Sequence, residues 1–514
     1  MNTTQVDQPA VKSGTFHIGR DIPVHRLGFM ATTNTAPAAG SNSADMTPER
    51  MRSLLDRQRT AFLQEGAPAY ETRIDRTDRL IALLVDNQDE IVSALNADYG
   101  HRSAEATLLT EVWSVIDNYK YTKLHLREWM QTEIHEAMFS DAEARVEYVP
   151  KGVVGVVSSW NFPWRLAFAP IGYVFAAGDR CMPKPSEVTP ATSALMAELA
   201  AQYFDETELA VVPGGPEIGA AFTALPFDHL IFTGSGKVGS AVMRAASETL
   251  TPVTLELGGK SPALIGKSAD IGDAARRILT AKTFNAGQIC LAPDYVLLPN
   301  ELERQFVAEA KSAVAAMYPK LQGNPDYTSI INERHFNRLK NWIADAEAKG
   351  AEVIELNPAS EDLSDVASHR IAPTLLRKVT DAMTVLQEEI FGPVLPIVTY
   401  ETIEEAIAFI NKHTHPLALY YFSNDVEEER KVLDRTTSGG ATVNDCMTHA
   451  FDNSLPFGGI GPSGMGAYHG RQGFVTFSHA RPIYRQSKSP QAELLFRPPF
   501  GEPIQAFLSS GITK

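Results

Sequence analysis

From Thr47 onward the chain keeps two apolar spacings, and they divide it into helical and strand-like stretches. RIDRTDRLIALLVDNQDEIVSALNADYG (73–100) carries apolar residues at helical intervals and stops at Gly100, a residue suited to a left-handed helix end. TLLTEVWSVIDNYKYTKLHLREWM (107–130) predicts a further helix. Ahead of both, Thr47, Pro48 and Glu49 read as an N-cap, a first-turn proline and an acid at the positive end of a helix. VEYVPKGVVGVVSSW (146–160) then turns Val-rich with glycine breaks and predicts strand. Beyond it the short apolar runs GVVGVV, DRCMPKP, LAVVPG and DHLIFTGS are separated by helical stretches such as PATSALMAELAAQYF (190–204). This alternation predicts an α/β chain with a doubly wound parallel sheet, and its return after Thr254 predicts a second Rossmann-like unit. No internal repeat is visible.

Residues 1–45 fit neither spacing. ATTNTAPAAGSNSAD (31–45) is small, polar and aperiodic, and the segment is expected to be a tail without packed structure. Arg20 and Arg26 suggest a transit peptide, but Asp7, Asp21 and the lack of amphipathic arginine periodicity argue for a plain tail. Residues 491–514, with two proline clusters, read as a second tail.

Composition narrows the class. Apolar residues make up 44% and charged residues 21%, which is ordinary for a globular chain, and 514 residues suffice for two or three packed units. The net charge of −16 counts against a nucleic-acid footprint. No apolar run is long enough to predict a membrane span. Three cysteines make no disulfide framework, so a reducing cytoplasm is expected, and no metal is expected.

One of those cysteines has chemical company. Cys290 closes FNAGQIC (284–290), a loop-like run, and Glu256 sits in LELGGKSP (255–262), where flanking leucines and Gly258-Gly259 suggest a strand end entering a turn. A thiol and a positioned carboxylate are the minimum for covalent catalysis with general-base help. Cys181 and Cys446 lack such neighbours and read as packing residues. GSGKVG (234–239) matches a dinucleotide-binding glycine loop between a predicted strand and a predicted helix, with Glu256 downstream in the place of a ribose-binding acid. The bare alternative is a tight strand-to-helix turn without a ligand.

Seven motifs in order, SSWNFPW (158–164), MPKPSEVTP (182–190), FTGSGKVG (232–239), LELGGKSP (255–262), FNAGQIC, EEIFGPV (388–394) and LPFGGIGPSGMGAYHG (455–470), resemble those of the aldehyde dehydrogenase superfamily, in particular its class 3-like branch with the coniferyl aldehyde dehydrogenases. The resemblance covers about Thr47 to Pro482. It implies that Cys290 is the nucleophile, Glu256 the general base rather than a ribose ligand, and Asn161 the oxyanion donor. It further implies that Trp160, Lys184, Ser186, Glu187, Gly234, Ser235, Gly239, Leu257, Glu389 and Phe391 bind the cofactor. That cofactor is expected to be NAD, with NADP tolerated. Phe162, Trp164 and Phe457 are expected along the aldehyde tunnel, their aromatic character favouring aromatic or phenylpropenal substrates over medium- and long-chain aliphatic ones. The family's loop usually has no glycine where Gly236 stands, so the full glycine pattern is partly accidental.

The implied architecture is a cofactor domain (46–129 and 151–255), a catalytic domain (256–442) and a bridging segment (130–150 and 443–490) that pairs two copies in a homodimer. Two other classes remain in view. A coenzyme-A-acylating dehydrogenase generally lacks a hydrolytic base, which Glu256 supplies here, and a catalytically silent binding protein would have no use for Cys290, Glu256, Asn161 and Glu389 together.

Overall fold

A computed structural model describes residues 46–363, 365–490 and 497–513. The expected N-terminal tail and part of the C-terminal one lie outside the described residues.

The helix Pro48–Glu65 starts as its sequence predicts. The Thr47 hydroxyl accepts from the Arg50 N–H at 3.2 Å, and Met51, Leu54 and Leu55 face inward. The expected helix over 73–100 is two helices, Tyr70–Asp86 and Gln88–Tyr99. Asn87 divides them, turning its amide back onto the Leu83 carbonyl at 2.8 Å. Such local bonding by an Asn side chain competes with helix continuation. The run 107–130 is also modulated, with a π-helical turn at Leu108–Trp113 ahead of Ser114–Trp129. That wider turn buries Thr110 and Glu111.

Three sheets follow. Strands β1 (Glu133–His135), β2 (Glu143–Pro150) and β15 (Ser478–Arg485) form a small antiparallel sheet in the order β1-β2-β15. The second sheet holds β3 (Val153–Val157), β4 (Arg180–Lys184), β5 (His229–Thr233), β6 (Val253–Glu256) and β14 (Gly464–Met465), ordered β14-β6-β5-β3-β4. All its pairs are parallel except β14 with β6. The third runs β13 (Gly440–Val443), β12 (Ala418–Phe422), β7 (Pro262–Ile265), β8 (Tyr295–Pro299), β11 (Val394–Tyr400), β10 (Thr374–Arg377), β9 (Glu352–Glu355), with only β9 antiparallel.

Two expectations are corrected here. LAVVPG (209–214) bonds along β4 through Ala210 N–H to the Cys181 carbonyl and Val212 N–H to the Pro183 carbonyl, yet forms only an isolated bridge. The Cys181 N–H returns a bond to the Glu208 carbonyl at 3.0 Å, but Pro183 has no N–H to give, so the ladder stops there. The expected bridging return from 443 also begins later. Gly464–Met465 joins β6 instead, the helix Gly470–Phe477 packs on Pro163–Ala177, and only β15 reaches the small sheet.

In the second sheet the chain leaves β4 at one edge and re-enters as β5 on the far side of β3, so the strand order reverses between β3 and β5. In open α/β sheets the crevice beyond the carboxyl ends of such strands is where ligands bind. The segments leaving β3, β5 and β6 meet there the segments entering β8 and β11 of the third sheet.

Candidate active site

The cleft between the two sheets contains a cavity of about 220 Å³. Trp160 and Asn161 reach it from the end of β3, Gly234 and Ser235 from β5, and Glu256, Leu257 and Gly258 from β6. Cys290 reaches it ahead of β8, and Glu389 and Phe391 ahead of β11. A second, narrower cavity of about 60 Å³ opens on the other side, with Phe162, Phe451 and Phe457 among its walls. Asn161 and Cys290 line both.

The thiol is carried on a strained loop. Asn285, Ala286 and Gly287 are all left-handed, with φ of 48°, 51° and 72°. A left-handed non-glycine residue costs about 1–2 kcal/mol, so surrounding bonds must hold this geometry. The Asn285 amide donates to the carbonyls of Asn161 at 3.3 Å and Gln288 at 3.2 Å. The Gln288 amide donates to Asn285 and Ser329 carbonyls and accepts from the Ile331 N–H at 2.9 Å. A Cβ on Gly287 would overlap the Gly392 carbonyl, so the nucleophile loop and the Phe391–Gly392 turn fit only with glycine there.

Asn161 is clamped from behind. Its carbonyl accepts from Arg102 Nη1 at 2.8 Å and Tyr99 Oη at 3.1 Å, and its side-chain amide donates to the Gln288 carbonyl at 3.2 Å. Arg102 is itself fixed by a buried ion pair with Glu111 at 2.8 Å, and Glu111 also accepts from the Arg165 N–H at 2.9 Å. The π-helical turn therefore delivers the acid that anchors the asparagine. Arg102→Met is expected to destabilise the protein by about 3–5 kcal/mol in urea denaturation, because it strands a buried charge. Arg102→Met with Glu111→Gln should recover part of the loss. A single-variant loss no larger than that of a surface substitution would contradict this role.

Burial dominates the electrostatics. It pushes the Cys290 thiol up to about 12, helped by the Glu389 and Glu256 carboxylates, while the backbone N–H groups of Cys290 and Leu291 pull the other way. Burial alone holds Glu256 well above the usual carboxylate range, and neither of its oxygens has a hydrogen-bond partner. Glu389 is raised to about 8, first by burial and then by Asp294, with the Gly259 N–H opposing. Burial thus disfavours the charged form of both the thiol and the acid in the resting site. An unpartnered buried carboxyl beside a thiol is poised to exchange a proton once something polar enters.

Several expected residues stand elsewhere. Lys184 donates to the Pro185 and Gly214 carbonyls at 2.8 and 2.7 Å, Ser186 accepts from the Val188 N–H, and Glu187 is exposed; none of the three lines the cavity. Gly239 is buried in the helix Gly236–Ser247, where a Cβ would press on Leu257, so its smallness lets that helix pack on the segment leaving β6. Ser235 lines the cavity but also caps that helix, accepting from Val238 N–H at 3.4 Å. Trp164 is a correction: it is fully buried against Phe168 at 4.8 Å and reaches neither cavity. The sequence reading missed His335 and Arg338 on the first cavity, and Arg165, Met447, Phe451, Tyr468 and His469 on the second. Tyr468 and His469 lie inside LPFGGIGPSGMGAYHG and Arg165 directly follows SSWNFPW, so the sequence carries a signal for those three.

A family model described as the aldehyde dehydrogenase family matches residues 33–483. The chain belongs to the aldehyde dehydrogenase family. It is 56% identical over 470 residues to a coniferyl aldehyde dehydrogenase of Pseudomonas sp., covering 91% of this chain and 98% of that protein. It is 39% identical over 454 residues to aldehyde dehydrogenase family 3 member A2 of Mus musculus, covering 87% and 91%. Among solved structures, Staphylococcus aureus AldH in a substrate-bound state superposes with a TM-score of 0.84 at 32% identity, covering 89% of this chain and 99% of that one. A Mycobacterium tuberculosis aldehyde dehydrogenase complexed with NAD+ superposes with a TM-score of 0.75 at 30% identity, covering 85% and 90%. As an aldehyde dehydrogenase, this protein oxidises aldehydes with a nicotinamide cofactor. The first cavity suits such a group: it lies at the strand-order switch and adjoins the N-terminus of a 12-residue helix whose dipole favours phosphate.

Proposed function

We propose that this aldehyde dehydrogenase oxidises aromatic or phenylpropenal aldehydes, coniferyl aldehyde among them, to their acids, with NAD preferred over NADP. The observation that carries the proposal is the position of Cys290 and Asn161 on both cavities, so that a cofactor in one and an aldehyde in the other meet at the thiol. Trp160, Gly234, Ser235, Leu257, Glu389 and Phe391 would hold the dinucleotide, which supplies the acceptor for the hydride leaving the carbonyl carbon.

The chain's own residues do the rest. Cys290 Sγ attacks the aldehyde carbon to give a thiohemiacetal. The Asn161 amide, which has a second N–H beyond the one given to Gln288, and the Cys290 backbone N–H hold the oxyanion. Each such donor is worth about 3 kcal/mol in the transition state. Loss of hydride leaves a thioester on Cys290. Glu256 takes a proton from water, the hydroxide adds to the thioester, and the acid leaves as the thiol re-forms.

The aromatic reading rests on the thin cavity with Phe162, Phe451 and Phe457 in its walls, and on the likeness to proteins named coniferyl aldehyde dehydrogenases. The aliphatic reading draws on Leu166, Ile289, Leu291 and Met447 in the same walls. The NAD preference rests on the family resemblance, which sets the adenosine ribose against Lys184 and Glu187 beyond the first cavity, where the Glu187 charge, felt by Lys184, would repel a 2′-phosphate. A reduced-cofactor absorbance assay tests all three. Coniferyl aldehyde and benzaldehyde should lead a straight-chain series from butanal to dodecanal, with NAD ahead of NADP. A steady rise with chain length would move the assignment to fatty aldehydes, and a lead for NADP would reject the Glu187 argument.

In this reading the second sheet and the preceding helices form the cofactor domain, the third sheet the catalytic domain, and the small sheet the bridge. Among the described residues the outer edge of β15 has no strand partner, and an open edge invites pairing with a second copy. Sedimentation velocity should therefore give a homodimer; a monomer would remove that role. Among the described residues no helix is long and apolar enough to cross a membrane, and three free cysteines suit the cytoplasm.

A further inference from the structure

Arg165 is out of keeping with the second cavity. The walls running out from Cys290 are largely apolar, with Phe162, Leu166, Phe284, Met447 and Phe457 among them. Into this space the first turn of the helix Pro163–Ala177 places a guanidinium. Its Nη2 donates to the Ala450 carbonyl at 3.0 Å, and its Cζ stands 4.9 Å over the Phe451 ring. No carboxylate forms an ion pair with its side chain among the described residues, and the Ala450 contact is the one hydrogen bond its guanidinium makes among them. Phe451 is 41% exposed, and Arg165 lines the second cavity alone whereas Cys290 lines both. The guanidinium therefore stands by a solvent-facing wall, on the side away from the first cavity.

A cation with donors to spare in apolar surroundings is costly to keep unless something completes it. Its pose is also set before any substrate arrives. The Glu111 carboxylate fixes the Arg165 backbone N–H, and Ala450 and Phe451 fix the head, so little side-chain freedom is left to lose on binding.

We propose that Arg165 is a specificity-determining residue that receives a hydrogen-bond-accepting oxygen on the substrate ring, at the end away from the aldehyde carbon. The ligand class is a ring-hydroxylated aryl or arylpropenal aldehyde, bound through its phenol or phenolate oxygen. This deepens the proposed function and rests on its aryl-aldehyde reading. A bidentate or charge-assisted bond at this point distinguishes an oxygenated ring from a bare one, because a bare ring leaves the guanidinium unpaired.

The test compares kcat/KM for 4-hydroxy-3-methoxycinnamaldehyde and for cinnamaldehyde, with NAD, in the full-length protein and in Arg165→Met and Arg165→Lys. Thermal melts of each variant establish that it is folded. The ratio of the two efficiencies should fall about tenfold or more in Arg165→Met, with Arg165→Lys keeping part of it. Equal losses on both aldehydes would overturn the proposal and leave Arg165 as a support for the Ala450 wall. The aryl reading is judged apart from this, by wild-type efficiency on cinnamaldehyde against hexanal. A failure there with a shifted ratio sinks the aryl reading and keeps the subsite, and a success there with an unshifted ratio does the reverse.

Discussion

Cys290→Ala is expected to abolish aldehyde oxidation, by roughly 10⁴-fold or more, with the protein still folded and still binding NAD. No other thiol can stand in. Cys181 is buried in β4, Cys446 is buried beside a surface cleft lined by Arg276 and Arg277, and neither lines the cofactor or the aldehyde cavity. Of the three thiols, Cys290 alone opens on both cavities. The substitution removes a sulfur from a loop whose shape is held by Asn285 and Gln288, so the surrounding bonds survive it. Steady-state assays give the rate, and quenching of Trp160, which lines the first cavity, reports cofactor binding. Turnover comparable to wild type would remove covalent catalysis at this position.

Glu256→Gln keeps the size of the side chain and removes its ability to take a proton. The expected result is a burst of reduced cofactor followed by turnover slowed by about 10²–10³-fold, because acylation proceeds and thioester hydrolysis does not. The pH dependence gives a second reading. Burial raises Glu256 above the usual carboxylate range, so its ionised form grows in as pH rises past that range. Wild-type kcat, where deacylation limits it, should rise with pH through this raised value, and the Gln variant should lose that rise. Wild-type-like turnover in Glu256→Gln would reject the role.

Much of this arrangement was legible from local sequence, and the failures have physical causes. Glu256 was read as a strand end entering a turn, and β6 ends on it. The Thr47 cap and the strand-to-helix turn at Gly234–Ser235 follow from short-range chemistry and are found. Asn87 carries no sequence signal of a break, because apolar spacing stays helical on both sides of it and only the side-chain bond to Leu83 reveals the interruption. Trp164 was misplaced because Pro163–Ala177 is buried on nearly every face, which leaves no polar side to indicate which residues turn toward the tunnel. His335 and Arg338 come from a helix far along the chain and enter the first cavity only through tertiary packing. The buried Arg102–Glu111 pair behind Asn161 was equally invisible, since a π-helical turn sets its register.

The most direct test of the central claim is to trap the acyl-enzyme. Glu256→Gln is mixed with NAD and an aryl aldehyde, quenched in acid during the burst, and analysed by intact mass and peptide mapping. The account predicts the mass of the acyl group on the peptide containing Cys290, in proportion to the burst. Acylation of Cys181 or Cys446, or reduced cofactor formed with no covalent adduct at all, would contradict it.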